Sequence, residues 1–130
     1  MNNIEYKDLL FDPVQIKHLY LNNEWYAYTN DEERLYKGIL NSTDAIGAYD
    51  GDVLVGLLRT VSDGETICYI QDILVLKEYQ RSGIGKELMK LIFDKYTHVR
   101  QMVLMTDDSE STRLFYESVG MVSYDKVDGV

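Results

Sequence analysis

The residues whose types and spacing first suggest chemistry are Gln80-Arg81-Ser82-Gly83-Ile84-Gly85, which join an apolar run to an amphipathic stretch through two glycines spaced by one residue. Backbone N–H groups at a helix start point the same way and carry the positive end of the helix dipole, so such a turn suits a pyrophosphate. Glycine lets the backbone come close to an anion, which makes Gly83 and Gly85 the positions where size matters. The bare pattern recurs by chance in roughly one chain in ten of this length, so its place among the neighbouring elements must carry the weight. It is not a P-loop, because no Gly-Lys-Ser or Gly-Lys-Thr follows. Nor is it a Rossmann fingerprint, since the third glycine is absent and the strands before it form a meander instead of βαβ units.

Other residues offer less. Trp25, Tyr26 and Tyr28 cluster within four positions and either line a binding pocket, with Asp31, Glu32 and Glu33 nearby to attract a cation, or simply roof a sheet. His18 and His98 lie far apart, lack a supporting cysteine or carboxylate cluster, and make no metal site; no metal is expected. Cys68, the one cysteine, stands in a β-rich stretch and reads as a small buried hydrophobe in a reducing compartment.

The elements that must position these residues follow from periodicity. Asp12-Pro13-Val14-Gln15 is a helix start: an acidic N-cap, proline at the first helical position and glutamine three after the cap, followed by Ile16, Leu19 and Tyr20 at helical spacing to about Asn22. A second helix starts at Thr29 or Asn30 and ends near Asn41, with the aromatic cluster in a short loop between the two. From Ala45 short apolar runs broken by Asp50-Gly51 and Asp63-Gly64 predict a three-stranded antiparallel meander. In its third strand, Thr66 to Leu76, alternation puts Ile67, Tyr69, Gln71, Ile73 and Val75 on one face and Cys68, Ile70, Asp72, Leu74 and Leu76 on the other, both apolar enough to be covered. After the glycine turn, Ile84, Leu88, Leu91 and Ile92 mark a helix running to about Tyr96. Val99 to Met105 reads as a central buried strand, and a last helix follows the cap region Asp107 to Ser111 and stops at Gly120.

Composition sets the frame. The chain has 130 residues with 45% hydrophobic and 12% aromatic, enough for one compact domain over 1–130 with a real core. Thirteen basic residues against 22 acidic ones give a formal net charge of -9, which repels nucleic acid and anionic membranes and favours cationic partners, or serves solubility alone. The polar, acidic start is unlike a secretory signal, and the longest apolar runs are too short to span a bilayer, so a cytoplasmic location is expected.

Val75, five residues ahead of Gln80-Arg81-Ser82-Gly83-Ile84-Gly85, with Leu88 and Met89 in the helix beyond, resembles the acetyl-CoA signature of the GNAT N-acetyltransferase superfamily. Leu114-Phe115-Tyr116-Glu117-Ser118-Val119-Gly120-Met121 resembles the second CoA-contacting motif of that family. Two motifs in order, separated by a helix and a strand, are far more specific than either alone; the likeness covers approximately Ala45 to Tyr124. It implies an α/β GNAT acyl-CoA N-acyltransferase fold: a mixed central sheet covered by helices on both faces, splayed where the third meander strand meets the Val99 strand.

The same resemblance assigns roles. The backbone of Gln80, Arg81, Ser82, Gly83, Ile84, Gly85 and Lys86 would bind the pyrophosphate of acetyl-CoA, and that of Leu74, Val75 and Leu76 would hydrogen-bond its pantetheine arm like an added strand. Tyr116 stands where many members place the tyrosine that protonates the departing thiolate, a transfer from a phenol of pKa about 10 to a thiolate of about 8.5 that needs local help. Without that role Tyr116 is one of eleven tyrosines, packed in a helix. An acceptor amine of pKa about 10.4 costs about 4–5 kcal/mol to present neutral at pH 7. Tyr69 and Gln71 occupy the strand positions where members often place a base; neither is one at neutral pH, and both become candidates for substrate contact beside Trp25, Tyr26 and Tyr28. Asp72, the one carboxylate of the strand, is a candidate base, but alternation turns it to the opposite face unless a bulge intervenes, which favours capping or core hydrogen bonding for it and deprotonation through a water chain. Ser109 replaces the asparagine common ahead of the tyrosine helix.

The function these features imply is acetyl transfer from acetyl-CoA to a primary amine of a small molecule or peptide, by direct attack. A non-catalytic acyl-CoA sensor or interaction module is the alternative from another class. Only Met121 to Val130 follow Gly120, so an incomplete final hairpin is expected, through truncation, a frayed edge or strand donation within a homodimer.

Overall fold

In the computed structural model, which describes residues 3–107 and 109–123, the helix start at Asp12 is built as its sequence dictates. The Asp12 carboxylate accepts from the N–H groups of Val14 (3.1 Å) and Gln15 (3.3 Å), Pro13 opens helix α1 (Pro13–Asn22), and Ile16, Leu19 and Tyr20 are buried. Gln15 also reaches across to the sheet, accepting from the Leu54 N–H (2.7 Å) and donating to the Asp52 carbonyl (3.0 Å). Asp12 thus fixes the helix start to itself, and Gln15 fixes it to the sheet below.

The element order is β1 (Ile4–Asp8), α1, α2 (Tyr26–Thr29), α3 (Glu32–Leu40), β2 (Asp44–Asp50), β3 (Val53–Ser62), β4 (Ile67–Val75), a 3-10 turn at Lys77–Tyr79, α4 (Ile84–Lys95), β5 (Gln101–Leu104) and α5 (Glu110–Ser118). The strands form one mixed sheet in the order β1-β2-β3-β4-β5, antiparallel except for the parallel pair β4–β5. Helices cover both faces. A Cβ on Gly56 would lie 3.1 Å from Ile84 and 3.4 Å from Leu88 of α4, whereas Arg59, three residues along and so on the other face, lies under Gly38 of α3 and bonds to a carboxylate shared with Tyr20 of α1.

Several expectations are corrected. Strand β1 lies where no element was anticipated: it pairs with β2 over Ile4↔Asp50 to Asp8↔Ile46. The aromatic cluster is not a loop, since Tyr26–Thr29 is a helical turn, and the following helix is capped by Asp31, which accepts from the Arg34 N–H at 3.3 Å. The run from Val99 to Met105 is not a central buried strand: only Gln101–Leu104 joins the sheet, at its margin among the described residues, and none of the four is buried. The apolar residues after Leu104 have left the ladder, and Met105 is 81% exposed. The anticipated final hairpin falls mostly on residues 124–130, outside the described residues.

The largest correction concerns β4. Its register with β3 steps from Arg59↔Asp72 to Thr60↔Ile70, so Gln71 has no partner on β3 and bulges out. Strict alternation therefore breaks at Gln71. Asp72 meets Arg59 and Tyr20 on the α1 face, while Cys68 lies beside Thr60 on the α4 face, where Thr60 and Tyr96 both donate to the Asp44 carboxylate. Tyr69 and Asp72, on opposite faces by simple alternation, come to share one. Nor are both faces of β4 closed: Cys68, Ile70, Asp72 and Leu74 are buried, but Gln71 is exposed and the rest are half-buried. Burial pushes the Cys68 thiol up to about 11, which keeps it a protonated, unreactive core group.

Candidate active site

The β4–β5 ladder ends at Ile70↔Leu104, directly before the bulge, and beyond that point the two parallel strands diverge. Leu76 donates to the Val55 carbonyl (2.8 Å), so Leu76, Leu74 and Asp72 direct their backbone groups towards β3, and by alternation Ile73 and Val75 direct theirs into the opening. The Val75 carbonyl accepts there from the side chains of Asn23 (3.1 Å) and Gln80 (3.0 Å). The free edge is thus a strand-like template of which one carbonyl is held by the protein itself.

Below this edge the chain turns into α4. Gly83 is the N-cap with φ +91°, in the left-handed region, and Arg81 shares that region at φ +65°. No side chain caps the helix, whose first backbone bond is Glu87 N–H to the Gly83 carbonyl, so the N–H groups ahead of it face out of the helix end. The two glycines serve different ends. A Cβ at Gly83 would meet no protein atom within 4 Å, and what this position requires is the backbone conformation. A Cβ at Gly85 would come within 3.2 Å of the Phe115 ring, so here size does matter. That close approach seats α5 beside α4 and brings Tyr116, next to Phe115, over the opening.

Between these parts runs a cleft of about 640 Å³, lined by Leu74, Val75, Gln80, Arg81, Gly83, Ile84, Gly85 and Lys86 among the anticipated residues and by Tyr116 opposite them. Leu76 is not part of it, being buried and bonded to β3. Ser82 faces a separate hollow beside Ile4 and Tyr6, and its hydroxyl is donated to the Tyr79 carbonyl. The uncapped helix start, the left-handed turn and the free β4 edge fit a phosphate-bearing, amide-containing chain such as the acetyl-CoA arm.

A second recess of about 230 Å³ opens at the splay and is lined by Trp25, Gln71, Thr106, Asp107, Ile73 and Tyr116 among others. Of the residues anticipated to touch substrate, it gathers Trp25 and Gln71. Tyr28 stands behind Gln71, accepting from its Nε2 at 3.0 Å; Tyr26 is half-exposed and away from the recess, and Tyr69 is half-buried and not part of its wall. Burial raises the Tyr116 phenol above its ordinary value of 10, the Asp107 charge adds to this, and Thr106 opposes it. The hydroxyl is therefore protonated at neutral pH and can donate. Asp107 itself is held below the usual carboxylate range by hydrogen bonds from Ser109, whose N–H lies 3.0 Å from its Oδ1, and from Thr112. Ser109 caps α5 through its bond from the Thr112 N–H (3.2 Å) and lines neither cavity.

Asp72 is buried and fully engaged. Its Oδ2 accepts from Arg59 Nε (2.5 Å) and the Tyr20 hydroxyl (2.8 Å), and its Oδ1 accepts from the Tyr28 hydroxyl (2.9 Å). It reaches the recess only through Tyr28 and Gln71. The family model for the acetyltransferase (GNAT) domain matches residues 9–127. The chain belongs to this family.

The solved structure of a GNAT-family acetyltransferase from Streptococcus pneumoniae TIGR4 superposes with a TM-score of 0.85 at 32% identity, covering 100% of this chain and 94% of that one. An aminoglycoside N-acetyltransferase in complex with CoA has the same fold, with a TM-score of 0.76 at 13% identity over 98% of this chain and 93% of that one. A candidate acetyltransferase of Gibberella zeae is 33% identical over 79 residues, 58% of this GNAT chain and 44% of that protein, so the chain spans less than half the length of this curated relative.

Sequence reasoning missed Asn23, Ile73, Thr106, Asp107 and Phe115. Phe115 lies inside the motif that singled out Tyr116, and Ile73 is one alternation step before Val75, so both carried a signal. Asn23 carried none, because its role depends on where α1 ends relative to β4.

Proposed function

We propose that this GNAT chain transfers an acetyl group from acetyl-CoA to the primary amine of a cationic small molecule or peptide. One observation carries the reading: the cleft beneath the α4 start and the recess at the splay meet at Ile73 and Tyr116, which line both. A long phosphate-bearing arm and a compact second ligand would thus be brought together beside a protonated phenol. Acetyl-CoA supplies an activated thioester; the protein's own residues do the rest.

The N–H groups at the start of α4 bind the anionic end. The free N–H groups of Ile73 and Val75 hydrogen-bond the arm and present a donor where negative charge develops on the carbonyl oxygen. Tyr116 donates its proton to the departing sulfur, the C–S bond breaking as the C–N bond forms, and the amine loses its proton to ordered water. The acidic net charge and Asp107 on the recess wall support a cationic acceptor, in keeping with the aminoglycoside enzyme that shares the fold.

Acetyl-CoA offered with polyamines, amino sugars and peptide N-termini in turn tests the reading through amine-dependent release of free thiol. Calorimetric titration of CoA measures binding separately. Saturable thiol release with at least one amine class supports acetyl transfer; tight CoA binding with no amine-dependent release across the panel would make the chain an acyl-CoA-binding module instead.

A further inference from the structure

The buried Asp72 cluster lies outside the transfer chemistry, yet it controls a group that faces the acceptor. A carboxylate can only accept hydrogen bonds, so the Tyr28 hydroxyl, 2.9 Å from Asp72 Oδ1, must spend its one proton on Asp72. The Tyr28 oxygen is then left as an acceptor. Of the two ends of the Gln71 amide only the NH2 can donate to it, and the Gln71 Nε2 lies 3.0 Å away. The direction of the Gln71 amide is therefore dictated from the core: Nε2 towards Tyr28, Oε1 free to accept.

Asp72 is itself held without freedom. Arg59 Nε and the Tyr20 hydroxyl occupy its other oxygen, and the side chains of Arg59 and Asp72 are 8% and 2% exposed. Tyr28 is wedged against Tyr20 and Trp25 with ring centroids at 5.3 Å and 6.1 Å. Gln71 occupies the bulge, the one residue of β4 without a β3 partner among its neighbours, and so its side chain turns to the recess wall that also carries Trp25, Asp107 and Tyr116. Among the described residues Gln71 makes no other side-chain hydrogen bond, so its Oε1 is available to a ligand.

We propose that Gln71 Oε1 is the acceptor that reads an N–H of the incoming cationic amine, with Asp107 on the same wall, and that Asp72 acting through Tyr28 is the positioning device that keeps this oxygen, and not the NH2, turned to the substrate. This rests on the acetyl-transfer reading and names how that site selects an amine. Were the amide reversed, an NH2 would face a substrate ammonium, donor against donor, and binding would be opposed.

Tyr28→Phe keeps the ring but removes the oxygen that orients Gln71, whereas Gln71→Glu replaces the amide by a carboxylate that presents an acceptor whichever way it turns. With spermidine and sisomicin as acceptors, Tyr28→Phe raises KM for the amine by roughly tenfold, the loss of one charge-assisted hydrogen bond, while kcat changes by less than about threefold and CoA affinity by calorimetry is unchanged. In the Gln71→Glu background the same Tyr28→Phe change raises KM by less than about twofold. Gln71→Leu raises KM as Tyr28→Phe does, and the two together give no further increase. An equal KM penalty for Tyr28→Phe in the parent and in the Gln71→Glu variant would overturn the proposal, because it would mean that Tyr28 acts only by packing; so would no penalty at all. Absence of thiol release with both amines and with peptide N-termini, while CoA still binds, would instead overturn the acetyl-transfer reading, and this inference with it.

Discussion

Replacing Asp72 by asparagine changes one atom in a side chain that is 2% exposed, and the consequence should be large. The carboxylate now balances the Arg59 guanidinium at 2.5 Å and accepts from two hydroxyls. Asparagine keeps the shape but carries no charge, and its NH2 faces donors. Arg59 is left as a buried charge without a counter-charge, a situation that costs about 3–5 kcal/mol. Against a stability of about 5–15 kcal/mol for a domain this is a substantial fraction. With a urea slope of about 1.5–2 kcal/mol/M, the unfolding midpoint should fall by about 2 M. Urea titration at pH 7 followed by the fluorescence of Trp25, the one tryptophan, suits the question because its ring lies 5.8 Å from that of Tyr20, a direct partner of Asp72. Arg59→Met alone should cost a similar amount. The double variant should cost at least about 2 kcal/mol less than the sum, since removing both charges leaves neither stranded. If Asp72→Asn lay within about 1 kcal/mol of the parent, or the two changes were additive, the pair would not act as a buried charge unit and the reasoning would fail.

Tyr116→Phe should lower kcat by about a hundredfold or more with little effect on KM for the amine. Because burial raises the Tyr116 pKa above 10 and the protonated form is the active one, activity is lost only as pH rises through that raised value; a Tyr116-dependent fall in kcat already at neutral pH would contradict the acid role. Gly83→Ala should destabilise by about 1–2 kcal/mol through its left-handed φ alone, whereas Gly85→Ala, at a helical position that favours alanine by about 1 kcal/mol, should leave the melting temperature nearly unchanged but lower kcat by pushing Phe115 and with it Tyr116; equal melting shifts for the two would refute the distinction. Asp44, whose carboxyl is held low by Lys95 and Tyr96 against the opposing effect of burial, stabilises the fold above its unfolded value of 3.8 and ceases to do so as pH falls through its lower folded value. The melting-temperature gap between the parent and Asp44→Asn should accordingly be open near neutral pH and narrow below pH 3.8.

What the sequence disclosed and withheld follows from the range of the interactions. The α1 cap, the meander, the glycine turn and the tyrosine helix each write their signature within a few residues, and each stands where those residues place it. Strand β1 escaped because Ile4-Glu5-Tyr6-Lys7-Asp8 holds only two apolar residues, though their alternation was there to be read. The bulge could not be read at all: it is a mismatch of count between β4 and β3, and neither strand carries it alone. The same holds for the hydrogen bonds that run from residue 28 to residues 71 and 72. The recess wall was therefore only half legible, Trp25 and Gln71 as types of residue and their arrangement not.

The unpaired Gln71 also says what kind of change could remove the recess wall it stands on. Side-chain substitutions at the seam alter what lines the recess but leave β4 one residue longer than β3 across it. Deleting one residue there would equalise that count, restore strict alternation along β4 and take away the position from which Gln71 reaches the recess. The wall facing the second ligand is thus held in the number of backbone units, a property that point mutation leaves intact and that a three-nucleotide deletion would erase.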